Sequence, residues 1–378
     1  MNKWEILQGI YIHIPFCLQK CQYCDFTSFP QVEGNKMVAY TEQLCRHIGR
    51  YRKIMPVNPR ATIYFGGGTP SVLPLSCLEQ IVYALKAKGL WQRPAEATIE
   101  VNPGTVDGEK LKAYRNLGFD RISMGIQSLH DKELKTMGRI HNKKEALAAL
   151  DMAQKAGFKK INGDLIFGYP GQTLNSVKSS VEELVKLGLT HISVYSLSVE
   201  KGTPLAKDIK EGKLKLPDDN MVGDMYDFIV KYLPEHGLRH YEISNFAKPG
   251  EEAQHNLVYW HYLPYLGFGI GAVSFTGRER RTGPLTMAAY LAGGKQDIEK
   301  LTSDIQLEEC IFMGLRTIDG INIEEIKERF GVDFKKKYSK EVTECELQNL
   351  VEWTENGNVL RLTAKGMQFG NRVFEKFM

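Results

Sequence analysis

Short apolar runs of strand length alternate with longer amphipathic stretches through the first half of the chain. The runs Ile10–Ile14, Ala61–Phe65, Ala97–Val101, Arg121–Ile126, Lys160–Phe167 and His191–Leu197 carry many β-branched residues and read as strands. Between them the apolar positions take helical spacing. Met37, Tyr40, Leu44, Ile48 and Tyr51 recur every three or four residues and predict a helix over 36–54. Comparable stretches lie at 75–88, 107–117, 142–156 and 173–187. Asp107 and Asn142 stand where N-caps belong, and Gly89, Gly118, Gly157 and Gly188 stand where helices end. Six β/α units in series predict a parallel sheet covered by helices. Right-handed crossovers turn such a series into a barrel or an open barrel. The expected fold class is therefore α/β, a partial (β/α)6 barrel over residues 1–235.

Beyond residue 200 the alternation weakens. Lys201–Pro217 reads as a loop and Asp218–Pro234 as a helix. Residues 236–298 are rich in aromatics, glycine and histidine and read as an α+β extension. In 299–378, Leu307–Thr317 and Ile323–Phe330 look helical, and Val359–Leu362 looks like a strand ahead of a last helix. That order suggests a small winged-helix-like module. In the barrel, the polar and glycine residues after the strands (Cys17–Cys24, Gly66–Pro70, Glu100–Gly104, Gln127, Asp164) fall on one face, where β/α barrels carry their chemistry.

Composition narrows the partners. A chain of 378 residues, 43% hydrophobic and 25% charged, has the balance of an ordinary globular protein. The net charge of +4 is spread among interleaved acids and bases, which argues against nucleic acid. Lys335–Lys337 fits a solvated helix face. The longest apolar stretch, Tyr265–Phe275, is too short to span a bilayer. Seven cysteines make a sparse set for this length rather than a disulfide framework, and the opening residues lack a long apolar segment, so a reducing cytoplasm is expected.

Three of those cysteines crowd into one loop, Cys17-Leu-Gln-Lys-Cys21-Gln-Tyr-Cys24, directly after a strand. Thiolates at this spacing can hold three corners of a [4Fe–4S] cube, which leaves the fourth iron open to a small molecule. A zinc site with His13 or Cys45 as fourth ligand is the plainer alternative, although both residues fit packing roles better. Tyr64-Phe-Gly-Gly-Gly-Thr69-Pro70 follows a second strand. Glycines there let bare backbone approach a zwitterion, although a glycine run alone is often only a turn.

This constellation resembles the radical S-adenosylmethionine (SAM) superfamily and, within it, the coproporphyrinogen oxidase–like branch. The resemblance covers nearly the whole chain, from the opening strand Tyr11-Ile-His13-Ile-Pro-Phe-Cys17 onward. It implies a radical SAM barrel with a cluster on Cys17, Cys21 and Cys24, SAM on the open iron, and an electron donor for the cluster. It further implies SAM contacts at Tyr11, at Tyr23 beside the adenine, and at Gly67, Gly68 and Thr69 near the methionyl end. Glu100, Gln127, Arg139 and Asp164 match other SAM contacts of the branch. A carboxylate at a strand end can accept two ribose hydroxyls. Each of these polar residues taken alone could equally be an exposed or capping side chain.

Two features separate this chain from the oxidases of that branch. Those typically carry a fourth cysteine two positions after the third, where this chain has Phe26, and a long segment ahead of the cluster, whereas here the first cysteine is already at position 17. In addition, His255-Asn256-Leu-Val-Tyr259-Trp260 is similar to a motif linked to heme binding in the heme chaperones of the branch. From the residues alone, His255 could give iron an axial imidazole while Tyr259 and Trp260 cover the macrocycle. It could equally be a packed histidine among core aromatics. His236, His240 and His261 are candidate second ligands. The expected function is a heme chaperone that passes heme to a haemoprotein acceptor, with peripheral contact to membrane haemoproteins compatible with it. The alternative is an oxygen-independent coproporphyrinogen III oxidase, so whether the chain is an enzyme stays open.

Overall fold

A computed structural model describes residues 2–378. Its six expected strands are β1 (Leu7–Ile14), β2 (Val57–Gly67), β3 (Ala97–Val101), β4 (Arg121–Gln127), β5 (Lys160–Phe167) and β6 (His191–Ser196). They lie side by side in chain order and pair in parallel throughout. The helices between them are α1 (Gly34–Gly49), α2 (Leu75–Ala87), α3 (Gly108–Leu117), α4 (Lys143–Lys155) and α5 (Leu174–Lys186). Strand order without reversal means that right-handed crossovers put every helix on the same face of the sheet. The other face is then the inside of a partial barrel.

Period-2 alternation builds both faces at once. Ile10, Ile12, Ile63, Phe65, Ile99, Ile122, Met124, Ile161, Ile192 and Val194 join one apolar core with the helices. The residues between them are polar or small: Tyr11, His13, Thr62, Tyr64, Thr98, Glu100, Ser123, Asn162, Asp164, His191 and Ser193. Helix ends obey local chemistry. Asp107 accepts the Lys110 N–H, and Asn142 closes a capping box with Glu145.

Two expectations are corrected. The first helix stops at Gly49 rather than 54, and Tyr51 packs edge-on against Phe268 from the loop beyond it. Lys201–Pro217 is not all loop, because Thr203 caps a helix at Pro204–Lys210 through the Ala206 N–H. Residues 236–298 extend the barrel sheet at both of its edges. After α6 (Asp219–Glu235) they supply the strands β7 (Arg239–Glu242) and β8 (Asn245–Ala247), then α7 (Gln254–Trp260) and the strands β9 (Tyr265–Phe268), β10 (Val273–Phe275), β11 (Glu279–Thr282) and β12 (Asp297–Lys300). β8 pairs antiparallel with β6, and β9 pairs parallel with β1, so one twelve-stranded sheet results. An unclosed barrel leaves backbone groups unpaired at both edges, and these strands satisfy them. Strand β9 needs glycine at 267, since a Cβ there would collide with the Val273 carbonyl oxygen of β10.

The C-terminal segment has its own core, running from Leu307 to Phe377. Helices α8 (Ser303–Leu315), α9 (Ile323–Phe330) and α10 (Ser339–Leu347) surround a small sheet of β13 (Ile321–Asn322), β14 (Val351–Thr354) and β15 (Val359–Leu362), with β15 in the middle. It meets the barrel at an isolated bridge between Thr317 and Glu242. Among the described residues no helix is long and apolar enough to cross a membrane.

A buried ion pair closes the barrel floor. Arg121 Nε donates to Glu96 Oε2 at 2.8 Å, with side chains 2% and 0% exposed. Arg121 Nη2 also donates to the Glu251 and Glu252 carbonyls, which anchors the chain entering α7. Glu96 receives the His255 backbone N–H at 3.3 Å. Removing one partner leaves the other charge buried and alone. Arg121→Met is expected to cost about 3–5 kcal/mol of stability, read by chemical denaturation, with part of that loss recovered in the Glu96→Gln/Arg121→Met double variant.

Candidate functional site

A cavity of about 380 Å³ opens at the C-terminal ends of the barrel strands. Its wall brings together Cys17, Cys21, Tyr23, Cys24, Gly67, Gly68, Thr69, Glu100, Gln127, Arg139 and Asp164. These are nearly all of the positions marked out by the sequence for a cluster and SAM. Tyr11 is the exception. It lies deeper in the barrel, its hydroxyl 3.0 Å from His13 Nδ1 and its ring stacked on Tyr64, and it is not part of the wall.

The cysteine loop is hooked at its base. Phe16–Cys17 pairs in parallel with Phe29–Pro30, so residues 18–28 form a closed excursion over the barrel mouth. Thr69 Oγ1 donates to Cys17 Sγ at 3.5 Å and Arg139 Nη1 donates to Cys21 Sγ at 3.2 Å. Burial pushes the Cys17 and Cys24 thiols up, so a bound metal must displace their protons. Neither proposed zinc partner joins them. His13 is held by Tyr11 and by the Thr27 carbonyl at 2.9 Å, and Cys45 sits on α1 away from the wall. Among the described residues no three ligating side chains stand close enough for a single metal ion, whereas a cavity ringed by three thiols suits a cluster.

The rest of the wall is polar and held in place. Glu100 accepts from the Tyr64 hydroxyl at 2.7 Å and from the Gly67 N–H at 3.1 Å, and burial pushes its carboxyl up to about 7. Asp164, also raised by burial, accepts from Asn162 Nδ2 at 2.7 Å and from the Ser123 hydroxyl at 3.2 Å. Arg139 Nη2 donates to Asn102 Oδ1 and to the Gly125 carbonyl, while its buried Nε has no partner. Gln127 sits at φ +68° beside a register shift between β4 and β5, and Gly67 sits at φ +114°. A side chain at Gly68 would meet the Phe16 carbonyl oxygen at 2.8 Å, so the backbone alone can line that wall.

Comparison with known proteins decides the family. The family model of the radical SAM superfamily matches residues 11–184, and that of the HemN C-terminal domain matches residues 301–369. The heme chaperone HemW of Lactococcus lactis is 36% identical over 97% of this chain and 96% of its own length. That of Bacillus subtilis is 32% identical over 98% and 99%. This chain belongs to the radical SAM superfamily and, within it, to the HemW family. The solved structure of the Escherichia coli coproporphyrinogen III oxidase HemN superposes with a TM-score of 0.83, covering 100% of this chain and 91% of that one. At 21% identity this likeness speaks for the fold alone.

Radical SAM membership brings a [4Fe–4S] cluster and SAM as cofactors. The residues present fit both: three thiols around one cavity, a glycine backbone cradle, and an unsatisfied buried donor on Arg139. Several wall residues escaped the sequence reading, among them Asn102, Ser123, Tyr195, Ser198 and Glu200. Ser123 and Tyr195 could have been found by following strand alternation inward from Gln127 and His191.

The heme motif of this HemW-family chain lies elsewhere than expected. His255 is 1% exposed, beneath the cavity and inside the barrel. Its Nδ1 is 2.7 Å from the Thr62 hydroxyl, its Nε2 is 2.9 Å from the Tyr259 hydroxyl, and its ring stacks on Tyr64 at 5.1 Å. Burial lowers its pKa to about 3, so the imidazole is neutral. Trp260 lies under the Arg316 guanidinium at 4.5 Å. Of the two readings of His255, this geometry is that of the packed histidine. Both ring nitrogens are engaged, and His255 is buried while Tyr259 and Trp260 are partly exposed. His236 and His240 bond the Tyr232 and Ile243 carbonyls, and neither faces His255. His255→Ala is expected to cost the cofactor-free protein about 3 kcal/mol in urea unfolding, because it opens a cavity and strands Thr62 and Tyr259. Unchanged stability together with lost hemin binding would restore the ligand role.

Proposed function

We propose that this chain is a heme chaperone on a radical SAM scaffold, binding heme and passing it to a haemoprotein acceptor in the cytoplasm. The observation that carries this reading is full-length similarity at 36% to a protein named as a heme chaperone, against 21% to the coproporphyrinogen oxidase. Phe26 supports it from within the chain. It stands 65% exposed at the position where the oxidase resemblance calls for a further cysteine.

In this reading Cys17, Cys21 and Cys24 hold the cluster, and an electron donor reduces it. SAM, when bound to the cluster's open iron, supplies a source of radical chemistry. The chain's own residues position it. The Gly67–Gly68 backbone and Thr69 take the methionyl end, Tyr23 lies beside the adenine, and Glu100 accepts the ribose hydroxyls. Gln127, Arg139 and Asp164 complete the polar wall, with Arg139 Nε offering its free donor. The acceptor haemoprotein could be peripheral to a membrane or free.

Two measurements test the reading. Anaerobically reconstituted protein should shift the hemin Soret band and transfer heme to an apo-haemoprotein, yet yield no protoporphyrinogen from coproporphyrinogen with SAM and reductant. Turnover without heme transfer would establish the oxidase alternative. SAM affinity carries a pH signature. Glu100 must be ionised to accept two hydroxyls, and below its raised pKa it carries a proton. Affinity should fall about tenfold from about pH 8 to about pH 6 by calorimetric titration, and Glu100→Gln should bind weakly at both values.

A further inference from the structure

A second cavity of about 330 Å³ lies outside the barrel, where α1 packs against β9 and the β10–β11 hairpin. Rings form its walls. His47 meets Phe268 edge-on at 5.1 Å and Tyr290 at 6.0 Å. Three guanidiniums, those of Arg50, Arg52 and Arg281, belong to the same lining, and no aspartate or glutamate does. Only Arg281 is paired, with Glu279 at 2.7 Å, while Arg50 and Arg52 are exposed and form no ion pair among the described residues. A concave site with apolar rings inside and unpaired guanidiniums at its rim selects a planar ligand bearing carboxylates, because the fork of an arginine matches a carboxylate edge.

The histidine narrows the class. His47 Nδ1 is 3.3 Å from the Tyr290 hydroxyl, and Nε2 has no hydrogen-bond partner among the described residues. Burial and the neighbouring Arg50 lower its pKa to about 4, so the imidazole is neutral at physiological pH, and in the tautomer whose Nδ1–H donates to the Tyr290 hydroxyl the Nε2 lone pair is open to iron. His255, by contrast, has both nitrogens occupied.

We propose that this outer cavity, with His47 as iron ligand and Arg50 and Arg52 as carboxylate anchors, is a binding site for an iron tetrapyrrole dicarboxylate. The assignment rests on the heme chaperone reading for its ligand, and on the cavity's rings, free imidazole nitrogen and unbalanced positive charge for its place. An open site on the outer surface also leaves part of the macrocycle accessible for hand-over.

The test titrates hemin and metal-free protoporphyrin IX into the full-length, cluster-loaded wild type, the Arg50→Glu/Arg52→Glu variant and His47→Gln. The charge reversals sit on exposed side chains and leave the core intact. They should weaken both ligands at least about tenfold, as expected for loss of charge-assisted hydrogen bonds. His47→Gln should change the Soret band of bound hemin and leave protoporphyrin affinity as it was, which a packing role for His47 would not do. Wild-type affinity and spectrum in all variants would overturn this site while leaving the chaperone reading standing. Absence of hemin binding by the wild type would remove both.

Discussion

A partial barrel has an inner face that no second sheet covers, so the polar side chains there must satisfy one another. The centre of that arrangement is the hydrogen bond between Tyr64 and Glu100 at 2.7 Å. Above it, Glu100 reaches the Gly67 amide and thereby fixes the glycine loop against the cysteine hook. Below it, the Tyr64 ring rests on His255, which is bonded to Thr62 and Tyr259, and whose backbone reaches Glu96 in the floor. One column thus joins the cavity at the barrel mouth to the ion pair at its base. In a low-dielectric interior each member depends on the next, because an unpaired polar group costs as much as several good contacts gain.

This column gives the HemW-family motif a physical role that does not require it to touch a ligand. His255 and Tyr259 support a side chain that supports the cavity wall. Positioning of this kind is how rigid elements keep a site within a fraction of an ångström of its working geometry. The same packing makes the motif sensitive to substitution, so loss of function on altering it does not by itself identify a ligand.

The cavity's charges are set by burial. Glu100 and Asp164 are both pushed upward because desolvation disfavours their ionised forms, and Arg139 and Lys20 are cations of the same wall. A sulfonium ligand would add positive charge beside two carboxyls whose ionisation burial disfavours, and the attraction would favour their ionised forms. The outer cavity has the opposite character, with arginines and no acid. The two sites are therefore matched to ligands of opposite charge.

Local sequence was enough to establish the six β/α units, the capping residues Asp107 and Asn142, the cysteine loop, and most of the cavity wall. Those features depend on spacing and on residues near one another in the chain, and a parallel series of strands necessarily delivers its C-terminal loops to one face. The destinations of residues 236–298 could not be read in the same way. Which sheet edge β8 or β9 completes depends on backbone groups contributed by strands more than fifty residues away. The environment of His255 was likewise a tertiary decision. Thr62, Tyr64 and Glu96 come from a strand and a loop some 160 residues or more earlier, and only their meeting inside the barrel stacks that ring, holds its backbone and closes Nδ1, while Nε2 is closed by Tyr259 of the same helix.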